Sequence, residues 1–246
     1  MNNGSVTDPL TLAHEVDAGL RAEARPERAA SEKAYLKSHL RHYGTSVPAI
    51  RSTVRRTVGV EGLNHDDLRT LVAALWAMPV HECRVAAVEL LASYVHLLST
   101  DDVDLLERLL RESRTWALVD GLAANVVGPL VERAPGMGPV LDRWAVDADH
   151  WIRRAALLAL LVPLRQGAGD FDRFGRYADA MLAEKEFFIR KAIGWVLRDT
   201  GRRRPDLVYA WLLPRASRAS GVTVREAVKP LSDAQRAAIL AARKPT

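Results

Sequence analysis

Apolar residues recur along this chain at the three- and four-residue spacing of an α-helix, from one end to the other. Within residues 81–98, Ala87, Leu90, Leu91, Tyr94, Leu97 and Leu98 fall on one stripe. Ser99-Thr100-Asp101-Asp102 then offers an N-cap and an acidic first turn for a helix over 101–113. Further on, Ile152, Ala155, Ala156, Ala159 and Leu160 form the stripe of a helix that opens after Asp147-Ala148-Asp149-His150. Phe188, Ala192 and Trp195 share a face of another. No segment alternates apolar and polar residues with β-branched enrichment, so no strand is expected.

Breaks fall near Tyr43-Gly44, Gly59–Asn64, Met78-Pro79, Ser99-Thr100, Ala134–Gly138, Ala148-Asp149, Gly167–Gly169, Gly201–Pro205, Ser220-Gly221 and Pro230–Asp233. They leave segments of about 10–20 residues and a repeat of about 35–45, the pattern of stacked helix pairs. The expected fold is all-α, a solenoid of HEAT-like antiparallel helix pairs with a concave face. A compact all-α bundle is the competing architecture. Thr7-Asp8-Pro9 looks like a helix start, with Pro at the first helical position. Residues 1–30 are expected to form an N-terminal helical extension or cap, and 31–243 a single repeat domain. Residues 244–246 read as a frayed tail.

Charge changes the picture. Residues 1–140 hold 15 Lys+Arg and 18 Asp+Glu, whereas residues 141–246 hold 20 and 12. Arginine dominates the second half, and its fork of donors suits phosphate. A polyanion partner fits this asymmetry, as does an arginine-rich solvated face. No apolar run is long enough for a membrane span, and the N-terminus lacks a secretory pattern, so a cytoplasmic protein without a membrane partner is expected. The single cysteine, Cys83, leaves no internal disulfide and sits in an apolar helix pattern, as a small core residue does. The seven histidines are scattered, with no H-E-x-x-H. Neither a P-loop nor a dinucleotide fingerprint occurs, so no metal and no cofactor are expected.

Three segments could carry chemistry. Thr115-Trp116-Ala-Leu-Val-Asp120 sets an indole and a carboxylate four residues apart, side by side on a helix. Alone, such a pair also reads as a core indole beside an acid that caps or binds an arginine. Trp151-Ile-Arg-Arg154 opens a second helix, with Arg153 and Arg154 pointing about 100° apart. Phe187-Phe-Ile-Arg-Lys-Ala-Ile-Gly194-Trp195-Val-Leu-Arg198 forms a third. Gly194 costs about 1 kcal/mol in a helix interior relative to alanine, which points to close approach of another backbone or a ligand.

Together these segments resemble the DNA alkylation repair family of AlkD-like DNA glycosylases. Ala34-Tyr35-Leu-Lys37, Gly44-Thr-Ser-Val-Pro-Ala-Ile-Arg51, His81-Glu-Cys-Arg84 and Arg225-Glu-Ala-Val-Lys229 fit the same family in order, so the resemblance spans roughly residues 30–230. It implies a HEAT-repeat solenoid whose concave face holds duplex DNA. It implies a monofunctional glycosylase that hydrolyses the N-glycosidic bond of N3- or N7-alkylated purines. Asp120 matches the catalytic acid, and Trp116 and Trp195 match the aromatic pair that contacts the lesion-bearing backbone. Arg154 matches an arginine that binds DNA near the lesion, and Tyr35 a tyrosine lining the cleft. Arg51, Arg190, Lys191 and Arg198 are added here as phosphate contacts. The family often carries a second tryptophan where this chain has Thr115, and an uncharged polar residue where it has Arg190.

The resemblance further implies a face that grips the backbone without enclosing the base, which would admit bulky adducts. The expected partner is duplex DNA containing alkylated purines, met by a monomer at the bacterial nucleoid. The rival reading is a non-catalytic helical-repeat scaffold that binds DNA or protein.

Overall fold

The computed structural model describes residues 8–59 and 62–243. Among them there is no strand, only an isolated bridge between Arg41 and Val80. The expected tail at 244–246, Thr7 of the expected helix start and part of the break after Gly59 lie outside the described residues. The fold is all-α.

Packing divides the chain into two compact units. The first holds residues up to Leu109 together with Ser113–Leu122, and the second holds Leu110–Glu112 and residues from Ala123 on. The first contains α1 (Pro9–Ala22), α2 (Pro26–Leu36), α3 (Val47–Val58), α4 (His65–Ala77), α5 (His81–Ser93), most of α6 (Val103–Ser113) and α7 (Trp116–Leu122). Helix α1 begins as its sequence requires: Asp8 accepts the Thr11 N–H and Pro9 stands at the first helical position. Helix α1 buries Leu12, Ala13, Val16 and Leu20 and packs against α3, α4 and α5. Leu68, Leu71, Leu75, Trp76, Leu90 and Leu91 complete the core of this unit. Full burial of each such side chain stabilises by about 1.5–3 kcal/mol.

One buried carboxylate organises the loop after α2. Glu82, 1 % exposed, accepts the Tyr43 N–H at 3.0 Å and the Gly44 N–H. Gly44 has φ +80°, and a Cβ there would stand 2.2 Å from the Arg25 carbonyl oxygen, so only glycine fits.

The second unit contains α8 (Gly128–Arg133), α9 (Met137–Trp144), α10 (His150–Leu158), α11 (Leu161–Arg165), α12 (Phe171–Met181), α13 (Phe187–Gly201), α14 (Pro205–Leu212), α15 (Gly221–Ala227) and α16 (Asp233–Ala242). Helix α13 is its centre, packed against α10, α11, α14 and α15. Trp144, Ile152, Phe174, Ile193 and Val196 are fully buried there.

The repeat inferred from the breaks has a physical counterpart in the hydrogen bonds that tie helices together. Tyr43 to Glu82 spans 39 residues, Arg51 to Glu89 38, and Arg69 to Asp102 33. In the second unit Arg111 to Asp147 spans 36, Tyr177 to Asp142 35, Arg165 to Asp199 34 and Arg215 to Asp179 36. Within each unit, helices about one repeat apart are therefore laced together, as in repeat folds.

Three local features depart from the sequence reading. The helix expected over 81–98 stops at Ser93, and Val95–Leu97 form a 3₁₀ turn. The cause lies beyond it: Asp102, wholly buried, binds the Ser99 N–H at 2.9 Å, His65 Nε2 at 3.0 Å and the Arg69 guanidinium, which fixes where the chain must turn. A break no turn residue announces falls at Arg114, which adopts a left-handed backbone with φ 47°. Finally, α7 runs on into a π-helical segment, Ala123–Val127, before α8.

Candidate functional site

In the first unit, Thr115 sets the start of α7. It is 5 % exposed, its hydroxyl accepts the Ala117 N–H at 3.5 Å, and its carbonyl accepts the Leu118 and Val119 N–H groups. A second tryptophan could not supply that hydroxyl cap. Leu118, Val119 and Leu122 bury the inner face of α7, which leaves Trp116 and Asp120, one turn apart, half-exposed together.

Tyr35, near the end of α2, is 74 % exposed, and its ring meets Trp116 edge-to-face with centroids 6.0 Å apart. Both line a cleft of about 380 Å³ whose other walls include Glu32, Val47, Arg51 and Val88. Arg51, on α3, is held bidentately by Glu89 of α5, at 2.8 and 3.0 Å. The pair raises the Arg51 pKa further, through the hydrogen bond to Glu89 and its charge.

Glu32, His42 and Glu82 bring three potential metal-ligand atoms within 4.8 Å of one another. Neither ring nitrogen of His42 has a hydrogen-bond partner. The Glu82 oxygens already serve the Tyr43 and Gly44 amides, however, and Glu32 binds Arg28 at 2.7 Å within α2.

In the second unit, Lys191, Trp195 and Arg198 occupy successive turns of one face of α13. Lys191 is exposed; Trp195 and Arg198 are half-exposed. The Trp195 indole N–H donates to Asp199 Oδ2 at 3.1 Å. Arg165 binds the same carboxylate at 2.7 Å, and Arg198 Nε binds its other oxygen at 3.2 Å. Burial opposes ionisation of Asp199, but the hydrogen bonds from Arg198 and Arg165 and their charges prevail, and its pKa lies below the usual carboxylate value. Glu226 of α15 sits among Arg198, Lys229 at 3.0 Å and Lys191 at 3.5 Å, and these cations likewise lower its pKa against the opposing effect of burial.

The oddity of Gly194 is resolved here. A Cβ at that position would lie 2.9 Å from Glu226 Cβ and 3.1 Å from the Thr223 Cα, so glycine lets α15 approach α13 closely enough for Glu226 to reach the cations.

Arg154 is placed differently from the other candidates. It is 2 % exposed; its guanidinium hydrogen-bonds the Phe188 carbonyl and lies 5.9 Å from the Phe188 ring. Arg190 is half-exposed, and its Nε donates to the Glu184 carbonyl at 2.6 Å. Arg153, pointing elsewhere, binds Glu184 and the carbonyls of Asp147 and Ala148. The structure thus groups Tyr35, Arg51 and Trp116 around one cleft, with Asp120 one turn along α7, and Lys191, Trp195 and Arg198 on one helix face. The acidic partners Glu89, Asp199 and Glu226 were missed by the sequence reading. Glu226 stands within the Arg225–Lys229 run, and Asp199 follows Trp195 by four residues.

Among the described residues no helix is long and apolar enough to cross a membrane. The family of DNA alkylation repair enzymes matches the chain over residues 16–231. A solved structure, a predicted DNA alkylation repair enzyme from Enterococcus faecalis, shares the fold with TM-score 0.75 and 22 % sequence identity, covering 86 % of this chain and 98 % of its own. No curated protein matches by sequence.

Proposed function

The chain belongs to the DNA alkylation repair enzyme family, and from that membership we propose that it is a monofunctional DNA glycosylase that releases N3- or N7-alkylated purines from duplex DNA. The observation that carries this reading is the outward face of α7, where Trp116 and Asp120 stand half-exposed beside the Tyr35 cleft.

The chemistry needs little else. Alkylation at N3 or N7 makes the purine cationic. When its bond to C1′ breaks, the electron pair leaves with the base, which departs neutral and needs no proton. Positive charge appears on the sugar as an oxocarbenium ion. Asp120 stabilises that charge and orients a water, whose oxygen bonds to C1′ while its proton passes to solvent. No amine nucleophile takes part, so the strand stays intact. The family resemblance assigns Trp116 and Trp195 to contact with the lesion-bearing backbone, where each indole would attract a cation by about 0.5–2 kcal/mol. Arg51, Arg190, Lys191 and Arg198 would hold phosphates. Arg154, being buried against Phe188, contributes to DNA binding mainly by fixing the start of α13. Recognition through the backbone leaves the base outside a tight pocket, so bulky adducts are accepted without base flipping.

Release of free 7-methylguanine from duplex DNA tests this reading. The native protein should release it, and Asp120→Asn should do so about 10²–10³ times more slowly while binding the duplex at least as well. No release of either 7-methylguanine or a bulky N3 adduct, with salt-sensitive binding retained, would replace the glycosylase with a non-catalytic DNA-binding protein.

A further inference from the structure

Trp195-Val-Leu-Arg-Asp199 has the same spacing as Trp116-Ala-Leu-Val-Asp120. The two runs are used differently. Asp120 is half-exposed, whereas Asp199 is 3 % exposed and faces inward. Asp199 Oδ2 accepts the Trp195 indole N–H at 3.1 Å and Arg165 Nε at 2.8 Å, and Oδ1 accepts Arg198 Nε at 3.2 Å.

An indole on a helix surface ordinarily has several staggered orientations open to it. Here the N–H is tied to the acid one turn later, which holds the ring in one orientation. The acid cannot follow the ring elsewhere, since arginines from two helices hold both its oxygens. A buried carboxylate is costly unless paired, and this one is paired by Arg165 and Arg198 and accepts the indole N–H as well. Trp195 itself stays half-exposed, with Lys191 one turn before it and Arg198 one turn after it on α13.

We propose that Asp199 is a positioning residue, which holds the Trp195 indole in the orientation that meets the lesion-bearing strand. The functional part rests on the glycosylase reading above; the orientation itself is independent of it.

The indole N–H resonances of ¹⁵N-labelled protein read the bond directly. The chain has six tryptophans, and Trp195→Phe identifies the signal in question. Asp199→Ala should shift that signal and speed its exchange with solvent about tenfold. It should also slow excision of 7-methylguanine about 10–100-fold, the cost of a misplaced binding group. Asp199→Asn keeps an oxygen that can accept the N–H, and should return both readouts to within about threefold of native. Arg165→Gln removes one ion pair from the same carboxylate and should leave the Trp195 signal in place. If Asp199→Ala does not fold, Asp199→Ser, too short to reach the indole, replaces it.

An unchanged signal and rate in the alanine or serine variant overturns the proposal. So does a rate loss that Asn fails to rescue, or one that tracks thermal stability equally in Arg165→Gln. If the native protein released no base at all, the glycosylase reading would fall, while the resonance and its exchange would still decide whether Asp199 sets the ring.

Discussion

His42 and His81 lie face to face in the first unit, ring centroids 4.5 Å apart and nearly parallel. Burial, then the neighbouring His42 and Arg84 charges, push the His81 pKa down to about 4. The folded protein therefore keeps this imidazole neutral at a pH where the unfolded chain protonates it. A group with a depressed folded pKa of this kind favours unfolding as pH falls from about 6.5 toward 4. Urea unfolding at pH 7.5 and pH 5 should differ by about 2 kcal/mol from this residue, with the lower pH less stable. His81→Phe, close in size and without a titrating group, should flatten that dependence. Cys83 offers the opposite case. Burial pushes its thiol well above the ordinary value, and it sits 3.4 Å from Asp17, so it should resist alkylating reagents in the folded state. Residue roles were unevenly legible. Cys83 was readable as core because its neighbours have helical spacing. The two Trp-x-x-x-Asp runs were not separable, because exposure of the acid depends on arginines such as Arg165, 34 residues away from its partner.

At the scale of elements, the contact of α13 with α15 depends on a missing side chain. Gly194→Ala would improve helix propensity by about 1 kcal/mol, yet its methyl meets Glu226 Cβ at 2.9 Å and the Thr223 backbone at 3.1 Å. Backbone cannot give way cheaply, so the overpacking cost of about 1–3 kcal/mol prevails. Thermal unfolding should show a net loss, and Glu226 should release Lys191 and Arg198. In the other unit, Glu89 occupies the guanidinium of Arg51. Glu89→Gln should tighten binding to duplex DNA about two- to fivefold, a gain that disappears at high salt. The sequence showed that Gly194 was unusual, because propensity is local. It could not show what approached, because the partner lies on a different helix. The same limit explains α5: its apolar stripe continues past Ser93, while the turn is imposed by Asp102 and its cations.

At the scale of the whole molecule, repeat length was the most legible property. Breaks that set off about one helix each, two to a repeat, reappear as hydrogen bonds across 33–39 residues. Arg111–Asp147 and Arg153–Glu184 show that arginine in such chains also serves as a rivet between repeats. Net charge alone therefore overstates how much positive surface remains for a polyanion. Four phosphate contacts, from Arg51, Arg190, Lys191 and Arg198, predict that log K for duplex DNA falls against log salt with slope about −3 to −4. A slope of about −7, as the charge of residues 141–246 alone would suggest, would mean the riveting arginines turn to DNA. The lacing has one more consequence. Because the ties named in the second unit span about one repeat, damage to one helix pair should stay local to it. Helix α16 is held by Ile239 and by the Gln235–Asp206 bond at 2.7 Å, and among the described residues none of its bonds reaches Asp199 or Glu226. A protease should pare the chain back from α16 like a zip opening tooth by tooth, and the face bearing Trp195 should outlast the first cut.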